Sequence, residues 1–138
     1  MEEDLNTYLF KYANQHCITC IWEPLNDHKP AYAVVNYNLI IVNQNWFRQT
    51  EIPFIIGHEI SHVLNGDIVC NCQGRYAVYP YELKADRNSF DIIFNYSLRN
   101  VSMITEPGIF IEQYGIPTRM LDYATTVFAK NRSLILEA

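Results

Sequence analysis

The chain has no basic cluster. Its 10 Lys and Arg are scattered among 15 Asp and Glu, for a net charge of −5 over 138 residues, and this argues against the positive stripe with which proteins grip nucleic-acid backbones. No direct nucleic-acid partner is expected. There is also no apolar run of membrane length, and the start, Met1-Glu2-Glu3-Asp4, is acidic where an export signal would be basic. A cytosolic protein without a membrane partner is therefore expected. Internal repeats and low-complexity segments are absent as well. With 18% charged residues and 14% aromatics, including 10 Tyr, the chain reads as globular rather than disordered, and its length suits one domain over residues 1–138. Cysteine is sparse: Cys17/Cys20 and Cys70/Cys72 form two close pairs. Residues 16–22 read as a strand, which would send the thiols of Cys17 and Cys20 to opposite faces. Reduced, unpaired thiols are the expectation over a structural zinc site or a disulfide.

What stands out is residues 53–67, which contain Gly57-His58-Glu59-Ile60-Ser61-His62. On a helix His58 and His62 lie one above the other, so both imidazoles can reach one metal ion. Glu59, one residue round, can address a water on that metal without being a ligand. Pro53 suits the first turn of such a helix and Asn65-Gly66 its end. The apolar residues from Phe54 to Leu64 spread almost all the way round, which predicts a buried helix. The competing reading is a pair of core histidines satisfied by hydrogen bonds. Buried imidazoles and a carboxylate together on one helix are costly unless they coordinate something or pair with each other.

Around this helix the pattern predicts an α+β fold. A helix over 3–15 is followed by a strand over 17–22 and two short strands, 31–35 and 39–42, joined by Asn36-Tyr37-Asn38. These make a small antiparallel or mixed sheet of about three strands. Residues 66–80 read as a loop or an irregular strand pair, 81–98 as a second core helix, and 109–114 and 117–130 as a C-terminal helix pair that completes the core without chemistry of its own.

A catalytic zinc takes three protein ligands and keeps one position open. The best third ligand is Glu82, with Asp86 one turn later accepting a hydrogen bond from the non-metal nitrogen of His58 or His62. The alternative is an exposed acidic pair at a helix N-terminus. Tyr76, Tyr79 and Tyr81 are candidate oxyanion donors among which the residues do not choose. The strand 39–42, nearest the metal helix, is suited to holding an extended peptide as an added strand.

The combination of a small N-terminal sheet, Phe54-x-x-Gly57-His58-Glu59-Ile60-Ser61-His62-Val63-Leu64, and Glu82-x-x-Ala85-Asp86 resembles the ImmA/IrrE family of metallopeptidases, particularly the short forms of bacteriophages and mobile elements. The similarity covers roughly residues 1–98, with Lys84 standing where the family often has a second acid. The resemblance implies one zinc held by His58, His62 and Glu82, with Glu59 as general base. It also implies peptide-bond hydrolysis in a specific protein of the bacterial host cytoplasm, a DNA-binding repressor of the same element being the expected partner. A non-hydrolytic regulator that binds a transcription factor is the alternative.

Overall fold

The computed structural model describes residues 3–67, 75–99 and 104–137, the side chains of 75–78, 136 and 137 excepted. The fold is α+β. Helix α1 (Leu5–Gln15) leads into β1 (Thr19–Glu23), β2 (Tyr32–Val34) and β3 (Leu39–Asn43), then α2 (Ile52–Asn65), α3 (Arg75–Ser97), α4 (Pro107–Gln113), α5 (Leu121–Lys130) and α6 (Arg132–Glu137). None of the described helices is long and apolar enough to cross a membrane.

Helix α1 begins where Asp4, in extended backbone, accepts a hydrogen bond from the Thr7 amide at 2.9 Å. That bond satisfies one of the amides a helix start leaves open, and it holds the Asp4 carboxyl below its usual range. Asp4→Ala is expected to cost about 1 kcal/mol, read as a lower melting temperature. Because the folded-state pKa is depressed, this contribution is present above the ordinary carboxylate range and lost as the pH falls through the folded value.

The sheet is mixed, in the order β1-β3-β2. Strand β3 runs parallel to β1 and antiparallel to β2, with Ile41 opposite both Ile21 and Tyr32. The predicted tight connection is present: Val35–Tyr37 forms one 3-10 turn and Asn38 takes the left-handed conformation, φ 49°, which asparagine tolerates better than most residues. Ile40 and Val42 of β3 are buried against α1 and α2. At the end of β3 the buried Asn43 side chain donates to the carbonyls of Asn26 and Lys29 and accepts from the amides of Leu25 and Asn45. It thereby orders the loop that delivers β2.

Helices α2 and α3 form the middle layer. On one side Ile52, Ile56, Ile60 and Ile92 face the sheet and α1; on the other Phe54, Phe90 and Phe94 pack with Phe110 and Phe128 of the C-terminal helices. Each fully buried side chain of this size contributes about 1.5–3 kcal/mol relative to exposure. The two helices meet at Gly57, where a Cβ would lie 2.3 Å from Ser89 Oγ. Ser89 donates to the Phe54 carbonyl at 2.7 Å at the same crossing.

Several expectations need correction. Helix α3 begins at Arg75 and passes through Pro80, so the segment read as loop up to residue 80 is helical from 75. Pro80 cannot donate to the carbonyl four residues back and its ring crowds that carbonyl, yet the helix continues through it. Leu64 is exposed, so α2 is not buried all round. Cys17 stands before β1 with φ 62° and is exposed, so strand alternation does not govern it. Cys17 and Cys20 are free thiols, and burial pushes the Cys20 thiol up to about 11. Cys70 and Cys72 lie outside the described residues.

Candidate metal centre

Helix α2 ends at Gly66 in the left-handed conformation, φ 65°, with the Asp67 amide returning to the His62 carbonyl at 3.0 Å. This reversal brings the Asp67 carboxylate back over the last turn, 3.1 Å from His62 Nδ1. Across the Gly57–Ser89 contact, α3 presents a stripe that passes from buried to open. Ser89 and Asp86 lie inside, and Glu82 emerges with its side chain 48% exposed. Asp86 Oδ1 lies 2.9 Å from His58 Nδ1.

The two outer ring nitrogens are thus tied to carboxylates, which leaves both Nε2 atoms pointing at one place. They are 3.0 Å apart, and Glu82 Oε2 and Oε1 lie 3.0 Å from His58 Nε2 and 2.9 Å from His62 Nε2 respectively. Among the described residues His58, His62 and Glu82 form the group able to hold a metal ion, with donor atoms all within 4.8 Å of one another. Ligand atoms about 2.0–2.2 Å from a tetrahedral ion stand roughly 3.3–3.6 Å apart. The observed spacings therefore need open by only a few tenths of an ångström to admit zinc. Two imidazoles and a carboxylate, each imidazole backed by an acceptor, are the donor set zinc prefers.

Electrostatics agree with a cation-seeking site. Burial alone would lower the His58 pKa, but the hydrogen bonds to Asp86 and Glu82 outweigh it and raise the ring to about 9. His62 is raised for the same reasons, with Glu82 and Asp67 overcoming burial. The two imidazoles hold the Glu82 carboxyl far below its ordinary value. Glu59 moves the other way: burial pushes it up, against the pull of His58 and His62. Its side chain lines the same cleft, about 220 Å³, as His58, His62, Glu82, Asp67 and the β2 residues Tyr32 and Ala33. A larger groove of about 560 Å³ between α1 and Trp22 contains no His or Cys and only Asp4 and Lys11 as charged groups.

His58, Glu59, His62, Glu82 and Asp86 are brought together, whereas the three tyrosines differ among themselves. All three tyrosines sit on α3, so Tyr76 and Tyr79, expected in the 66–80 loop, are helical, as Tyr81 was expected to be. Only Tyr79 lines a cavity with Glu82, the Tyr81 side chain is exposed and lines neither cavity at the site, and the Tyr76 side chain lies outside the described residues. Strand β3 cannot take a further strand, because it is paired on both sides; the strand bordering the cleft is β2. The C-terminal helices are not merely core. Arg119, in the 3-10 turn Thr118–Met120 before α5, donates to Asp86 Oδ2 at 2.9 Å through Nε and to Oδ1 at 3.1 Å through Nη2. Asp67 and Arg119 are the contributors that the sequence did not disclose. Asp67 had a weak signal, a carboxylate directly after the helix-ending Asn65-Gly66; Arg119 had none.

Comparison with protein-family models, with curated proteins and with solved structures found no match. The chemistry of the site is therefore argued from its own donor atoms.

Proposed function

We propose that the chain is a zinc-dependent endopeptidase of the ImmA/IrrE type that cuts a specific protein. The observation carrying this reading is the convergence of His58 Nε2, His62 Nε2 and Glu82 on one point, with Asp86 and Asp67 behind the two rings and Glu59 in the same cleft. A zinc ion, when bound, supplies a Lewis acid that acidifies a water and polarises a carbonyl.

The chain's own residues do the rest. His58 and His62 keep their Nδ1 protons toward Asp86 and Asp67, so that each Nε2 offers a lone pair. Glu59, its carboxyl raised by burial, accepts the proton of the attacking water and passes it to the amide nitrogen as the C–N bond breaks. The outer edge of β2 has no strand beyond it among the described residues. Its backbone N–H and C=O groups can hold an extended segment across the cleft. Two small residues, Ala31 and Ala33, leave room there for substrate side chains.

Because a metal-bound imidazole must be neutral and His58 holds its proton up to about 9, zinc binding is expected to release a proton below that pH. Affinity should rise with pH below that value, by up to about tenfold per pH unit for each proton released. Calorimetry in buffers of different ionisation enthalpy checks this; an enthalpy independent of the buffer contradicts it.

The substrate we propose is a folded DNA-binding repressor of the same mobile element, cut at an exposed linker. Incubation of the purified protein with zinc, that repressor and unfolded casein tests the reading. Cleavage of the repressor alone supports it. Rapid casein digestion with an intact repressor indicates a general peptidase, and binding without cleavage that persists in Glu59→Gln indicates a non-hydrolytic regulator.

A further inference from the structure

We infer that Arg119 is a positioning residue of the metal centre: by gripping both oxygens of Asp86 it fixes the carboxylate that accepts from His58, and so aims His58 Nε2 at the ion. The inference rests on the metal reading above and adds to it a contribution from the C-terminal segment.

Asp86 Oδ1 serves two donors at once, His58 Nδ1 at 2.9 Å and Arg119 Nη2 at 3.1 Å, while Oδ2 takes Arg119 Nε at 2.9 Å. A carboxylate held by one hydrogen bond can pivot about its own axis. One held by a planar two-pronged guanidinium cannot, and its remaining lone pair then points in a single direction. The Asp86 side chain is only 10% exposed, whereas that of Arg119 is 60% exposed. The arginine is therefore not needed to fill the core, yet its two inner donors are turned to this one acceptor.

Arg119 is itself well placed. Its guanidinium lies over the ring of Phe54, 5.7 Å from the centroid, one turn before His58 on α2. Buried Ile116 and Met120 anchor the turn that carries it, and Gly115 brings that turn against the Thr50 backbone just ahead of α2. Glu51 and Glu82 add longer-range attraction. The side chain thus joins both ligand-bearing helices to the C-terminal segment.

A purely electrostatic role and a positioning role predict opposite signs. Removing a positive charge beside a cation site should by itself tighten zinc binding, whereas freeing Asp86 should weaken it. Zinc dissociation constants would be measured by competition with a chromophoric chelator for wild type, Arg119→Ala, Arg119→Lys, Asp86→Ala and the double variant Arg119→Ala/Asp86→Ala. Zinc-free melting curves would run in parallel to establish folding.

We expect Arg119→Ala to weaken zinc by roughly tenfold, the lower end of the about 10–100-fold range for groups behind a metal-bound histidine. Arg119→Lys, which keeps the charge without the fork, should fall in between. The double variant should bind no more weakly than Asp86→Ala alone, because the two act in series. Unchanged or tighter binding in Arg119→Ala overturns the inference, as do additive effects in the double variant. Should Arg119→Ala not fold, an affinity in Arg119→Lys equal to wild type has the same force. If wild type binds no zinc, the metal reading falls and takes this inference with it; tight wild-type binding with an indifferent Arg119→Ala removes the inference alone.

Discussion

Replacement of His62 by Ala is expected to weaken zinc binding about a hundredfold. Four-ligand zinc sites in small domains are worth about 10–16 kcal/mol, so one ligand in four accounts for roughly 2.5–4 kcal/mol, and each 1.4 kcal/mol is a factor of about ten. The loss is not made good locally. His58 and Glu82 remain 3.0 Å apart, but among the described residues the group able to hold a metal comprises only these two and His62. Glu59→Gln separates binding from chemistry. It leaves every proposed ligand in place, so zinc content should match wild type while hydrolysis falls by about 10²–10⁴, the contribution usual for a general base. Elemental analysis of the two variants beside wild type decides the assignment. Equal zinc in His62→Ala and wild type would remove the metal centre from these residues.

The second large effect lies outside the cleft. Gly115 has φ +65°, and a Cβ there would stand 1.8 Å from the Thr50 carbonyl oxygen and 2.5 Å from its carbon. Left-handed backbone costs an ordinary residue about 1–2 kcal/mol, and overpacking about 1–3 kcal/mol more. The obstacle is main chain, which cannot swing aside as a side chain can. Gly115→Ala is therefore expected to cost about 2–5 kcal/mol and to lower the melting temperature by roughly 10–20 °C. Two controls divide that figure. Gly66 has the same φ of +65° with nothing among the described residues within 4 Å of the added atom, so Gly66→Ala should show the conformational part alone. Gly108 in α4 has no left-handed strain and, among the described residues, no neighbour within 4 Å of an added Cβ, and Gly108→Ala should be neutral or slightly stabilising. A Gly115→Ala melt no lower than that of Gly66→Ala would mean that the 115–120 turn does not pack tightly on Thr50.

Much of this site was legible before any coordinates, for a physical reason. His58 and His62 share a helix, and Glu82 and Asp86 share another, so spacing alone puts each pair on one face. The sheet could be counted from its β-rich runs, and the Asn36–Asn38 connection from its turn residues. Legibility ended where the partners are far apart in the chain. Arg119 reaches Asp86 across 33 residues through a turn whose sequence looks like any helix start. The parallel pairing of β1 with β3 places the third strand between the first two, an order that alternation cannot predict. Pro80 misled in another way. Proline inside a helix both removes a hydrogen bond and crowds the preceding turn, so it ordinarily marks a boundary, yet α3 runs from Arg75 straight through it. Asp67 needed knowledge of how Gly66 turns the chain back.

The contact between Gly57 and Ser89 has a kinetic consequence. Because Gly57 carries no Cβ, the Ser89 side chain fits directly against the α2 backbone, and the spacing of the two helices that carry His58 and Glu82 is fixed there by close packing. An ion arriving at the proposed site would meet donors that are already assembled, so little chain entropy would remain to be lost on capture. In the proposed metal site, capture is then expected to be limited by loss of the imidazole protons rather than by rearrangement of the chain.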